Sequence, residues 1–278
     1  MSTDGIDPTD PPCPGATAPV VDLADPDRPY RRRIELRADP AGRDAFGTVD
    51  AHLEDDFHRF SVHVTHDGRV VTAVTYDAIR TPWTTCAAAG DVLQALVGAP
   101  LLPRTTDAAA VTDPHRHCTH MFDLAALAIA GAARGVTVRR FDAEVPIPVD
   151  GRQRVRLWRD RELVLQWTIA TDAHGARGVL DAEPYSSVPW RGGFMRWADT
   201  QLDPDTAEAA IVLRRACDIG LGRGMPLDAI PVASEIGRGM AGVCFTMQPD
   251  QIGHAFRNRG NIKDFGRIPA ALLADTRE

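Results

Sequence analysis

One stretch constrains this chain more than any other: Pro82 to Arg134, where two helix-like segments each begin at a cysteine. The first reads Pro82-Trp83-Thr84-Thr85-Cys86 and continues from Ala87 to Val97 before Gly98. The second reads Arg116-His117-Cys118-Thr119-His120-Met121-Phe122-Asp123 and continues through an alanine- and leucine-rich run to Gly135. Thr84 and Thr85 stand where an N-cap oxygen is wanted, and both glycines fall where a left-handed C-cap is wanted. A cysteine at a helix start lies in the positive end of the dipole, which favours thiolate. Thiolate is the form that attacks and that binds metal, so Cys86 and Cys118 are expected to form one site.

Composition narrows what that site can belong to. With 278 residues the chain has room for one large domain or two small ones and for a proper core. It is 44% hydrophobic and 25% charged, the balance of an ordinary soluble protein. No apolar run reaches the 18 or so residues of a membrane span, so no membrane partner is expected. A net charge of −7 argues against nucleic acid as a partner. The start of the chain is acidic and proline-rich, without the basic and apolar regions of a secretion signal, and residues 1–28 read as a disordered leader. Lys263 is the only lysine among the basic residues, a bias that genomic base composition explains. Five cysteines are an odd number in a chain with no export signal, so reduced thiols and a cytoplasmic location are expected.

Taken in order, Arg31 to Ala38 alternates polar and apolar as a half-buried strand does, and Thr48 to Leu53 can pair with it. Glu54-Asp55-Asp56-Phe57-His58-Arg59 follows, a cluster of potential ligands just before the strand Phe60 to Val64. The Asp-Gly pair in His66-Asp67-Gly68 predicts a tight turn, with Arg69 to Tyr76 returning as the second strand of a hairpin. Beyond Gly135 the chain is strand-rich: Val136 to Ala143, Arg154 to Asp160 and Glu162 to Thr171 carry β-branched and aromatic residues. Pro184 to Gly193 reads as irregular. Asp203-Pro204 supplies an N-cap and a proline at the first helical position, opening a helix whose stripe includes Ala209, Val212, Leu213, Ala216 and Ile219. From Gly220 onward, glycine and proline obscure any periodicity.

The order of hairpin, cysteine-headed helix, loop and second cysteine-headed helix resembles the NifU-type iron–sulfur assembly scaffolds over Glu54 to Gly135. Laid against that motif, Asp56 falls on the scaffold aspartate, Cys86 on its second cysteine and His117-Cys118 on its His-Cys pair. Glu54 takes the place of the scaffold's first cysteine, and a cluster normally wants cysteine there. Over most of its length the chain is also similar to the bacterial domain of unknown function 2889 family. The residues that carry this likeness are Cys86 with Leu93-x-x-Leu96-x-Gly98, Cys118-Thr119-His120, Cys244-Phe245-Thr246-Met247-Gln248-Pro249, Ala255-x-Arg257, Gly260 and Asp264-Phe265. That resemblance implies a role in metabolism without a defined mechanism.

Asp56, Cys86, His117 and Cys118 together offer carboxylate, thiolate and imidazole, a set suited to tetrahedral zinc or to iron with an open position. His120 is an alternative ligand if His117 turns outward, and Asp123 complements the helix dipole. His58 or Glu54 could serve as the acid–base group beside the metal. Gln248, Arg257 and Arg259 in the C-terminal run could hold a substrate carboxylate, with that run closing one wall of the pocket. Cys13 in the leader, Cys217 in an apolar stripe, and the surface residues His63 and His66 are expected to play no part. No P-loop, dinucleotide fingerprint, serine-hydrolase elbow or zincin motif is present, so no nucleotide cofactor is expected.

The reading is an α+β fold: a NifU-like hairpin core with two cysteine-headed helices, joined to a second antiparallel sheet and C-terminal helices. Residues 29–135 hold the metal region, and residues 136–278 form a β-rich region packed with it. The function expected is a zinc- or iron-dependent hydrolase or lyase of small-molecule metabolism, with one ion per chain. The alternative is a non-catalytic metal or iron–sulfur carrier. The pattern does not fix the oligomeric state.

Overall fold

A computed structural model of the chain describes Leu23, Asp25, residues 27–39, residues 46–172 and residues 175–276. Cys13 and most of the expected leader lie outside them. The last leader positions that are described are packed: Leu23 is buried and Arg28 pairs with Asp264 at 2.8 Å.

Among the described residues, eight strands form one antiparallel sheet. They are β1 (Tyr30–Asp39), β2 (Gly47–Asp55), β3 (Arg59–His66), β4 (Val71–Arg80), β5 (Val138–Val145), β6 (Arg152–Arg159), β7 (Glu162–Thr171) and β8 (Arg177–Val179). Their order across the sheet is β4-β3-β2-β1-β5-β6-β7-β8. The fold is therefore α+β, as the sequence suggests, but the hairpin and the later strands do not form two separate sheets. β1 is hydrogen-bonded on both edges, placing Ile34 opposite Leu53 of β2 and opposite Phe141 of β5. A ten-residue strand paired along both edges joins the two meanders into one surface.

The two faces of that sheet differ. Tyr30, Arg32, Ile34 and Leu36 alternate onto one face, with Phe141, Ala143 and Val145 beside them, and most of the core lies there. The other face carries an ionic ladder that includes Arg33–Asp142 at 2.7 Å and Arg31–Glu144 at 2.7 Å. One face packed and one face polar is the usual arrangement of an antiparallel sheet.

Three α-helices cover the core face: α1 (Thr119–Ala133), α2 (Phe194–Gln201) and α3 (Pro204–Gly220). α1 packs across β2 and β3, whereas α3 packs across β5 and β6. Every residue of α1 from His120 to Gly131 is buried except Asp123, as expected of a helix enclosed on all sides. Asp203 caps α3 by accepting from the amides of Asp205 and Thr206, each at 3.0 Å.

Only the second cysteine heads an α-helix. Cys118 is the N-cap of α1, but Cys86 closes a single 3-10 turn, Thr84–Cys86. The residues after it, Ala88–Leu96, form a run of 3-10 turns where the sequence predicts an α-helix. Side-chain ties to β4 fix their path: Gln94 Nε2 donates to the Val74 carbonyl at 2.7 Å, and Tyr76 hydroxyl donates to Asp91 at 2.8 Å. Gly90 sits against the Tyr76 ring, where a Cβ would come within 2.2 Å of it. No helix among the described residues is long and apolar enough to cross a membrane.

Candidate functional site

The turn between β2 and β3 is built by its own first residue. Asp55 Oδ1 accepts from the amides of Phe57 and His58, both at 2.8 Å, which closes an Asx turn. The same oxygen accepts from His58 Nδ1 at 2.9 Å. Asp55 Oδ2 accepts from Tyr30 hydroxyl at 2.7 Å and from Arg32 Nε and Nη2 at 3.0 and 2.6 Å. This carboxylate thus receives six hydrogen bonds while wholly buried. Burial alone would raise its pKa, but the His58 ring and the Arg32 guanidinium reverse that and hold it well below the usual carboxylate range.

His58 is oriented by that carboxylate. Its Nδ1 proton faces Asp55, so the lone pair belongs to Nε2. Against it lies His120, in the first turn of α1, with ring centroids 3.8 Å apart and planes 28° from parallel. Burial pushes both imidazoles below their ordinary pKa, His120 well below, and Arg32 adds to the effect on each. Both rings are neutral at pH 7, the form that binds metal. His120 Nε2 is buried with no hydrogen-bond partner among the described residues. Asp55, His58 and His120 can bring one ligand atom each within 4.8 Å of one another.

The remaining sequence-derived candidates are distributed elsewhere. Asp56 points away from the histidines into an ion pair with Arg223, and its other oxygen accepts from the Phe265 amide at 3.1 Å. Burial raises the Asp56 pKa to about 7 against the pull of Arg223. Glu54 turns to the opposite sheet face, accepting from the Leu273 amide at 2.9 Å and from Arg80 at 3.3 Å. Cys86 rests 3.4 Å from Thr246 Oγ1. Cys244 lies near enough to Cys86, and both lie near enough to Cys118, for their charge to disfavour those thiolates, but among the described residues the three form no ligand group as tight as the histidine cluster. His117 is buried beside Phe122, with Nε2 at 3.0 Å from Thr112 Oγ1 and Nδ1 without a partner among the described residues.

At both Cys86 and Cys118 desolvation outweighs the pull of a helix start toward thiolate. Burial pushes Cys86 up to about 11 and Cys118 well above its ordinary value, although the amides of Met121 and His120 pull Cys118 back. A dipole contributes about 0.3–1 kcal/mol, whereas full burial can shift a pKa by several units.

The C-terminal run packs on the Cys86 turn, with Met247 and Ala255 clustered against Trp83 and Cys86. Its polar groups are spent on structure. Arg257 lies over the Trp83 ring and donates to Asp228 at 2.9 Å, while Gln248 donates to the His115 carbonyl at 2.7 Å. Arg259 is exposed.

A cavity of about 600 Å³ opens instead between the sheet and the helices. Arg32 and Ile34 of β1 and Leu53 of β2 form its floor, α1 and α3 its sides, and Arg196 of α2 part of its rim. Arg32 therefore touches both the cavity and Asp55. No sequence pattern signals this cavity, because its arginines come from three separate elements. A scan against protein-family models matches none, and a search of curated proteins finds no match.

Proposed function

We propose that this chain is a zinc- or iron-dependent enzyme acting on a small carbonyl or carboxylate compound, with the ion held at His58 and His120 and with Asp55 behind His58. The observation that carries the reading is His120 Nε2, a buried ring nitrogen with no hydrogen-bond partner among the described residues, beside a second neutral histidine. A buried ring nitrogen left unpaired is costly, and in the tautomer that leaves a lone pair on His120 Nε2 a bound cation would satisfy it. When bound, the ion would supply Lewis acidity toward a carbonyl or a water molecule. The chain's own part is to keep both imidazoles neutral, to fix the His58 tautomer through Asp55, and to hold Asp55 ionised through Arg32 and Tyr30. The burial of all three groups favours an enzyme over a carrier, which must hand its cargo to a partner through accessible ligands. Kinship with the domain of unknown function 2889 family, and more distantly with NifU-type scaffolds, is part of this proposal and rests on the residues quoted from the sequence.

A second reading is a metal-free acid–base centre. It is favoured by the six donors already on Asp55, which leave that carboxylate free only to position His58 as a general base. Metal analysis of protein purified without chelator separates the two. The first reading expects close to one zinc or iron per chain, lost in His120→Ala and His58→Ala and kept in Cys86→Ser. Metal-free protein of undiminished thermal stability would sink it and leave the acid–base reading.

A further inference from the structure

The cavity beside this centre combines two chemistries. Its interior is apolar: Ile34 and Leu53 from the sheet, Phe122, Ala126 and Leu127 from α1, and Ile211 from α3 are all buried side chains that line it. The α1 contribution follows from helical spacing, since Thr119, Phe122, Asp123, Ala126 and Leu127 share one face. Its charged lining is mainly cationic. Four arginines line the cavity, namely Arg32, Arg196, Arg214 and Arg215, against two carboxylates, Asp123 and Asp199.

Most of these charges are already matched. Arg32 is bound to Asp55 at 2.6 Å, Arg214 stands 3.5 Å from Asp218, and Arg215 stands 3.2 Å from Asp123. Asp199 accepts from Thr106 and faces Arg104 at 3.7 Å. Arg196 has no carboxylate partner among the described residues and is exposed at the mouth. One guanidinium is therefore in excess above an apolar interior. A volume near 600 Å³ falls within the range of small-molecule sites, which are mostly apolar with a few polar groups fixing orientation.

We infer that this cavity binds an organic monocarboxylate with an apolar body. The chain or ring lies against Phe122, Leu127 and Ile211, and the carboxylate is held at the rim by Arg196. A guanidinium presents paired donors that match a carboxylate, whereas a neutral amide of the same shape offers a single acceptor oxygen and no opposite charge. That such a compound is the substrate of the adjoining histidine centre rests on the reading above; the binding itself does not.

Calorimetric titration with octanoate and with octanamide tests the inference, run on chelator-treated protein and again with zinc added. Octanoate should bind saturably and at least about tenfold more tightly than octanamide, a difference of about 1.4 kcal/mol. Arg196→Gln, a change at an exposed position, should erase that preference, the loss falling on octanoate far more than on octanamide. Ala109→Trp, at the exposed rim, should weaken both ligands by obstructing entry. Absence of saturable binding, equal affinity for the two probes, or an unaltered preference in Arg196→Gln would overturn the inference. Failure of zinc to bind while octanoate still binds would instead remove the metal reading alone.

Discussion

At the scale of single residues, burial decides the chemistry of the groups that the sequence makes conspicuous. Cys86 and Cys118 sit in apolar surroundings that favour the neutral thiol, and reactivity follows thiolate fraction and exposure. In a Cys13→Ser background, both should remain unmodified by a disulfide reagent at pH 7.5 until denaturant is added, with sites read by mass spectrometry. Prompt labelling of either in the folded protein would mean that the dipole outweighs desolvation. His63 shows the opposite balance. Partial burial works against its charge, but contacts with Asp50 at 2.6 Å and Asp77 at 3.3 Å prevail and raise its pKa. Because the folded value lies above the unfolded one, the stabilisation is fully present below about pH 6.5 and fades as pH rises through the folded value. His63→Gln should therefore be less stable than the parent near pH 5.5 and converge with it by about pH 8, as followed by urea unfolding. The ring is partly exposed, so the gap should be only about 0.2–1 kcal/mol.

At the scale of elements, what could be read in advance was what local chemistry specifies. The β3–β4 hairpin follows from Asp67-Gly68, and α3 follows from Asp203-Pro204. Asp203→Ala removes the acceptor for two orphan amides and should cost about 1 kcal/mol; a loss of unfolding free energy in urea of less than about a tenth of that value would show that water replaces the cap. The 3-10 path of Ala88–Leu96 was not legible, because it depends on contacts with Tyr76 and Val74 on a neighbouring strand. The region after Gly220 was illegible for a similar reason: its short turns are held by long-range bonds such as Arg257–Asp228 and Asn258–Thr81, which leave no periodic trace. The histidine centre was half visible. The sequence offers His58 and His120 as candidates, but among three consecutive acids the strand pleat makes the choice. Asp55 lies opposite Arg32 in register, and Glu54 lies opposite Arg33. Adjacent strand residues point to opposite faces, so only knowledge of which face carries the helices selects Asp55.

At the scale of the whole molecule, the three acids of that turn each reach a different part of the structure. Asp55 ties the turn to β1 and α1, Glu54 ties it to the segment around Leu273, and Asp56 ties it to Arg223 and Phe265. Arg223 is the hinge of this arrangement. Its side chain is wholly buried, pairs with Asp56, donates to Asp264 at 2.9 Å and donates to the Leu23 carbonyl at 3.3 Å. Asp264 in turn holds Arg28, so the entry into β1 and the C-terminal segment meet at one guanidinium. Breaking a buried ion pair from one side leaves a desolvated charge and typically costs about 3–5 kcal/mol. Arg223→Met should therefore lower the unfolding free energy by about that amount, and Asp56→Asn in the same chain should recover part of it by removing the stranded carboxylate. Hydrogen exchange should show the loss first in residues 261–273, where the amides of Lys263 and Phe265 bond to Asp56. If Arg223→Met unfolds with the parent midpoint, or if the double variant is no more stable than the single one, the C-terminal segment is held by its apolar contacts at Phe265 and Leu272 and not by this pair.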